Sequence, residues 1–237
     1  MEGKLHGGYR SEARRVGSTV VRSAPPPYAV ALLEFLNRSN WPHAPKVLAV
    51  NEGVATLSFV EGDAAITDDA KEAASADTPL LELAAIVRQL HDLTEGTALA
   101  DGEQVACHND LDPRNTIYRT DADGAIYPVA LIDWDLAGAG QPVHDLAHIC
   151  WTHTRLGPKA EVDEVSHRID VILRGYRWTG TRDEVVDTML WWQDRCWRGI
   201  HAEASAGDPA MVRARQDRVV EAVRAQFDWT REHLAAR

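Results

Sequence analysis

The chain has 237 residues, only three cysteines, and 36 acidic against 25 basic side chains, for a formal charge of −11. That length can bury a full core without staples, and the odd, scattered Cys107, Cys150 and Cys196 argue against both a disulfide framework and a structural zinc site. The acidic balance disfavours nucleic acid as a partner, because that binding is driven by clustered Lys and Arg; it suits a cationic small molecule, or simply a well-solvated surface. No run approaches the roughly 18 apolar residues of a membrane span, and Met1 to Arg10 lacks a signal-peptide core, so a cytoplasmic chain with no membrane partner is expected.

The first sixty residues are punctuated by Gly and Pro and rich in short Val-containing runs. Arg14 to Gly17 and Ser18 to Arg22 read as two strands around a Gly17 turn, stopped by Pro25 to Pro27. A helix is expected from Tyr28 to Arg38. Val47 to Val50 and Val54 to Val60 then form a hairpin across Asn51, Glu52 and Gly53, and the strand-rich part ends at Glu61-Gly62. Asp63 to Ala76 has no apolar stripe and reads as a surface connection between two lobes. Thr78 as cap and Pro79 at the first helical position open a helix with Leu80, Leu83, Ala84, Val87 and Leu90 on one face. Beyond Trp151 the pattern is helical, over Val162 to Tyr176, Arg182 to Ala204 and Pro209 to Leu234. The expected fold is therefore α+β, with a small mainly antiparallel-β lobe and a larger mainly α-helical one.

The chemistry concentrates in Cys107-His108-Asn109-Asp110-Leu111-Asp112-Pro113-Arg114-Asn115-Thr116-Ile117-Tyr118 and, after a polar turn at Asp121 to Gly124, in Val129-Ala130-Leu131-Ile132-Asp133-Trp134-Asp135. A loop entering a hairpin holds Asp110 and Asn115 at its two ends, and Asp133 emerges from the second strand beside them. Phosphoryl transfer needs alignment and charge compensation more than covalent help. Magnesium prefers hard oxygen ligands, which Asn115 and Asp133 supply. Asp110 is then the base that orients an acceptor hydroxyl and takes its proton. Asp135 is either a second metal contact or an exposed loop acid.

His108-x-Asp110 followed by Asn115 resembles the catalytic loop of protein kinases, and Ile132 to Asp135 resembles the metal-binding motif of the aminoglycoside phosphotransferase and choline kinase family. Asp145-Leu146-Ala147 and Gln89 to Leu93 fit that family's order and spacing, so the resemblance covers roughly Leu80 to Trp151. It implies a bilobal protein-kinase-like fold, with residues 1–62 as nucleotide-binding lobe and 63–237 as catalytic and acceptor-binding lobe. It further implies Asp110 as base, Asn115 and Asp133 as Mg2+ ligands, ATP or GTP as donor, and Asp145 as a carboxylate tying down the catalytic loop. By the same resemblance Arg22 contacts nucleotide phosphates, Gly7-Gly8 is a reduced phosphate-covering loop, and Phe59 and Val60 are the hinge positions facing the base. The register of Glu34 leaves its usual ion pair to Arg22 open. The G-x-G-x-x-G loop is absent and Asp112 stands where protein kinases carry Lys, so protein substrates are not expected.

Other readings compete at several positions. His108 reads as a buried histidine bonded to the loop backbone rather than a ligand, and His144, His148 and His153 as core or surface histidines, since they lack H-E-x-x-H spacing. Trp191, Trp192 and Trp197 are either core or, with Asp194 and Glu203, an acceptor pocket. The leading function is O-phosphorylation of a small, possibly cationic acceptor such as an aminoglycoside or aminoalcohol. The alternatives are a nucleotide- or antibiotic-sequestering immunity protein on the same fold and a metal-dependent hydrolase. A monomer or weak homodimer is expected.

Overall fold

A computed structural model describes residues 3–4 and 13–235, so the pair Gly7-Gly8 lies outside the described residues. Strands β1 (Gly3–Lys4), β2 (Arg14–Val16), β3 (Thr19–Ser23), β4 (Val47–Asn51) and β5 (Val54–Ser58) form one antiparallel sheet ordered β1-β2-β3-β5-β4. Glu52 (φ +50°) and Gly53 (φ +79°) make the β4–β5 turn. Two successive positive φ values give a hairpin turn the twist of its strands. Pro27 opens helix α1 (Pro27–Arg38), at a position whose N–H has no helical partner anyway.

Helix α1 faces the larger lobe. Ala29, Leu32, Leu33 and Leu36 recur at helical spacing and are almost wholly inaccessible, in one core with residues 80–90 and 146–150. The Tyr28 hydroxyl donates to the Leu99 carbonyl at 2.6 Å, and the Leu131 N–H donates to the His43 carbonyl at 2.8 Å.

The rest of the chain is mainly helical. A three-stranded antiparallel sheet, β6 (Asp63–Ala64), β8 (Thr116–Thr120) and β9 (Ile126–Leu131), and the pair β7 (Val105–Cys107) with β10 (Gly138–Gly140) carry the loops. Around them stand α2 (Asp68–Ala74), α3 (Asp77–Thr94), α4 (Pro142–His153), α5 (Val162–Tyr176), α6 (Arg182–Ser205), α7 (Pro209–Gln216) and α8 (Val219–His233). Among the described residues no helix is long and apolar enough to cross a membrane.

Three local expectations are corrected. The connection after Gly62 contains α2, whose N-terminus is capped by the Thr67 hydroxyl accepting from Ala70 N–H at 3.2 Å. Helix α3 starts at Asp77, before Thr78, because the Leu80 N–H already bonds the Ala76 carbonyl and Pro79 falls in the first turn, where no N–H is missed. The expected helix from Pro209 to Leu234 is broken at Arg218 (φ +62°, ψ +28°), so that α7 and α8 are separate elements.

Gly175 lets α5 approach α3. A Cβ there would lie 2.5 Å from the Leu81 carbonyl oxygen and 2.9 Å from its Cα, both backbone atoms that cannot swing aside. Alanine normally stabilises a helix interior by up to about 1 kcal/mol over glycine. Gly175→Ala is expected to reverse that sign, costing about 1–3 kcal/mol by overpacking and lowering Tm by several degrees in thermal unfolding followed by circular dichroism. An unchanged or raised Tm would contradict this packing.

Candidate active site

The loop after β7 is held from below by a single carboxylate. Asp145, fully buried on α4, accepts the His108 N–H at 2.8 Å, the Asn109 N–H at 2.7 Å and the His91 Nε2 at 3.1 Å, and His91 Nδ1 reaches the Tyr176 hydroxyl at 2.7 Å. Burial alone would raise the Asp145 carboxyl, yet His91 and His108 hold it below the usual carboxylate range. The loop takes a tight path. Asn109 has φ +63°, a region Asn tolerates better than most side chains, and its amide donates to the Leu136 carbonyl at 3.0 Å.

His108 is fully buried, and its partners define its tautomer. Nδ1 faces the Asp110 N–H at 3.3 Å and so accepts, which leaves Nε2 to donate to the Ile132 carbonyl at 3.1 Å. Burial pushes its pKa down, in keeping with a neutral ring. It therefore links the two chemical loops as a structural group. Thr152, seven residues after Asp145 on the same face of α4, donates to the Leu111 carbonyl at 2.6 Å. Asp112 accepts from Arg114 N–H at 2.9 Å and from its guanidinium at 2.8 Å, closing the turn that carries Pro113 to Asn115.

Asp110 and Asn115 touch. The Asn115 amide donates from Nδ2 to Asp110 Oδ2 and to the Asp110 carbonyl, both at 2.9 Å. Because both partners accept, the nitrogen must face them and the Asn115 carbonyl oxygen is left for another ligand. The Ile132 N–H donates to the Asn115 backbone carbonyl at 2.8 Å, so Asp133 begins its loop beside Asn115. Asp133 is left-handed (φ +61°, ψ +64°), uncommon for a non-glycine residue and frequent at functional turns. Burial raises the Asp110 carboxyl above the usual range, against an opposing influence of His148 and His108.

Arg22 closes the site from the small lobe. Its guanidinium, 8% exposed, reaches Asp133 Oδ1 at 2.9 Å and Asp135 Oδ2 at 2.5 Å. Asp135 is thus no bystander. Arg22 Nε and Asp135 Oδ1 are both buried without a partner. Glu34 pairs with Arg38 at 3.7 Å on the exposed side of α1, so Arg22's counter-ions come from the larger lobe. Phe59 gives its N–H to the Ser18 carbonyl at 2.9 Å and its ring lies under Arg15, 3.6 Å from the guanidinium carbon. Its N–H is therefore unavailable to a base edge. Val60 follows, half-buried, before Gly62, whose φ of +136° and lack of a Cβ let the chain cross the backbone of Tyr118.

The donors suit a divalent cation. Two carboxylates and an amide oxygen are hard ligands, an unpartnered carboxylate oxygen awaits a partner, and a guanidinium already stands at the carboxylates as a cation. Zinc chemistry through histidines is not assembled. His144 stacks on Trp191 at 5.7 Å and His148 sits edge-on to Trp151 and Trp192. Among the described residues the one group of three His, Cys, Asp or Glu side chains at metal-ligand spacing is His91, Cys107 and Asp145. It is buried and committed to hydrogen bonds, and burial raises the Cys107 thiol far from the thiolate a metal requires.

Helix α6 packs against α4, the helix that carries Asp145. Burial, then the Asp110 carboxylate, push the thiol of Cys196 on α6 up to about 11, against the influence of Arg114. Trp192 donates to the His144 carbonyl at 2.9 Å and meets Trp191, 47% exposed, at 4.7 Å. Trp197 is flanked by Arg198 and Arg224, and Asp194 pairs with Arg198 at 2.7 Å.

A strand-built small lobe, a helical large lobe and an acid-bearing loop between them define a kinase-like phosphotransferase fold. The chain belongs to the phosphotransferase enzyme family, which it matches over residues 55–184. It is 29% identical over 199 residues to a trifolitoxin immunity protein of Rhizobium leguminosarum bv. trifolii, covering 73% of this chain and 72% of that one. A choline/ethanolamine kinase family protein from Mesorhizobium loti superposes with a TM-score of 0.63 at 15% identity, over 97% of this chain and 90% of the other. A ternary complex of an aminoglycoside phosphotransferase with streptomycin and ATP gives 0.58 at 14% identity, over 90% of each chain. At such identities the structural likeness establishes the fold.

Asp145→Asn keeps the shape but offers one acceptor oxygen where three donors converge. It is expected to cost about 1–3 kcal/mol in chemical denaturation near neutral pH. The native carboxyl is depressed, so its contribution is complete above the unfolded pKa and is lost as pH falls through the lower folded value. The gap between wild type and variant should therefore shrink only below the ordinary carboxylate range; a gap that closes at neutral pH would contradict the assignment.

Proposed function

We propose that the chain is a small-molecule kinase that moves the γ-phosphoryl group of ATP or GTP to an acceptor hydroxyl. The observation that carries this reading is the contact of Asp110 with Asn115 beside Asp133, across the cleft from Arg22. Asn115, through its free carbonyl oxygen, and Asp133 would hold Mg2+, with Asp135 Oδ1 close by; bound there, the ion neutralises charge on the phosphate oxygens. Arg22 would bind phosphate oxygens. The Val60 backbone and the Phe59 carbonyl would meet the base.

Asp110 works as base and orienter. Fixed by the Asn115 amide on one oxygen, its carboxylate receives the acceptor's hydroxyl hydrogen bond and takes the proton as the acceptor oxygen bonds to phosphorus and the link to the leaving nucleoside diphosphate breaks. Burial raises its pKa, which makes its carboxylate a stronger base. The acceptor would enter between the catalytic loop and α6, against Trp192; Trp191 beside it already stacks on His144 and has the Arg195 guanidinium carbon 5.5 Å from its ring centre. An aromatic wall and an acidic chain suit a cationic acceptor, in line with the streptomycin bound by one structural neighbour.

A second reading has its own support. The relative that confers trifolitoxin immunity, together with the guanidinium lying across the metal carboxylates, favours a protein that binds nucleotide or antibiotic with little transfer. The two readings separate in one experiment. A panel of aminoglycosides, peptide antibiotics and aminoalcohols is screened for nucleoside diphosphate release with ATP and with GTP. At least one acceptor should stimulate release, with a rate that rises with pH through the raised Asp110 pKa and falls by about 10²–10⁴-fold in Asp110→Asn. Tight calorimetric binding of a panel compound, without turnover and unaltered in Asp110→Asn, would replace the kinase reading by sequestration.

A further inference from the structure

Arg22 is placed where a donor-site cation belongs, and its bonding is unfinished. The guanidinium is more than nine-tenths buried and spans the two lobes to Asp133 Oδ1 and Asp135 Oδ2, yet its Nε has no partner. On the other side of the pair, Asp135 Oδ1 is buried and equally without a partner. A finished structural ion pair would satisfy both, since each unsatisfied buried group carries a desolvation cost. One buried donor and one buried acceptor left unmatched within the same ion pair are the complement of what a phosphate oxygen and a metal ion or its water would supply.

We propose that Arg22 is the built-in counter-cation of the donor site: it holds the place of the divalent ion at Asp133 and Asp135 and yields it only when a phosphate-bearing nucleotide arrives with the metal. This rests on the phosphotransferase reading and names the form of its ligand as the metal–nucleotide pair. A metal ion entering alone must compete with the guanidinium for the same carboxylate oxygens and strand a buried cation without counter-charge. A nucleotide entering alone must draw the guanidinium away from Asp133 and Asp135 and leave both acids without counter-charge. Together they exchange partners, the carboxylates passing to the metal and the Arg22 fork to phosphate oxygens, which it fits in a bidentate manner. The two ligands are therefore coupled through Arg22, and linkage makes that coupling reciprocal.

The test is the affinity of Mn2+, followed by its paramagnetic resonance signal, with and without ADP, for wild type, Arg22→Met, Arg22→Lys and Asp133→Asn. Arg22→Met should bind Mn2+ alone about tenfold more tightly than wild type and bind ADP in the presence of Mn2+ about tenfold more weakly, two changes of opposite sign. Arg22→Lys, with a single ammonium in place of the fork, should fall between them, and it decides the comparison if Arg22→Met does not fold. An Arg22 that merely contacts phosphate would weaken ADP and leave Mn2+ alone unchanged, and that result overturns the proposal while the kinase reading stands. Loss of all Mn2+ and ADP binding in every protein, wild type included, would remove the kinase reading and the proposal with it.

Discussion

One buried carboxylate sets the geometry on which the site depends. Asp145 accepts two consecutive backbone N–H groups of the loop after β7 and a histidine that is itself anchored to α5 through Tyr176. Two adjacent main-chain donors aimed at one carboxylate fix the loop's direction as well as its position, and charge-assisted bonds of this kind are about twice as strong as neutral ones. From that anchor the chain can take the left-handed step at Asn109, present Asp110 to the cleft and turn through Asp112 and Pro113 to bring Asn115 back against Asp110. The neutral His108 ring carries the same order to the Asp133 loop.

The lobes meet through both oil and charge. Helix α1 belongs to the small lobe by chain order but gives its leucines to the core of the large one. That packing leaves Glu34 on the solvent side, bonded to Arg38, and so Arg22 must find its counter-charges in Asp133 and Asp135. Electrostatics then couples the sheet of the small lobe directly to the loop that would hold the metal. The strain at Asp133 and the two unpartnered polar atoms mark this junction as the place where the molecule is least satisfied with itself.

What could be read from the residues followed from how local each signal was. The strands around Gly17, the β4–β5 hairpin and helix α5 carry their own turn or periodic signatures and stand close to where these put them, although β5 ends at Ser58 and not at Val60. The loop acids were legible because order and spacing within thirty residues constrain them. Helix α2 carried too little apolar periodicity to stand out, and its Thr67 cap is visible only beside the helix it caps. The break at Arg218 was hidden because its apolar residues keep a helical period on both sides, while the left-handed residue that redirects the chain has no Gly or Pro to announce it. The pairing of Arg22 with Asp133 and Asp135 spans more than a hundred residues, beyond any local pattern. Thr152 was legible in principle, at helical spacing from Asp145, but a lone threonine on an apolar helix looks like any other.

The central claim is that Asn115 and Asp133 share one divalent ion beside Asp110. The most direct measurement is a crystal structure with Mn2+ and a non-hydrolysable ATP analogue, read from the anomalous signal of the metal. The claim predicts a peak within about 2.0–2.3 Å of the Asn115 side-chain oxygen and an Asp133 oxygen, with Arg22 turned onto a phosphate. A nucleotide bound in the cleft with its metal away from both residues, and Arg22 still lying across Asp133 and Asp135, would contradict it.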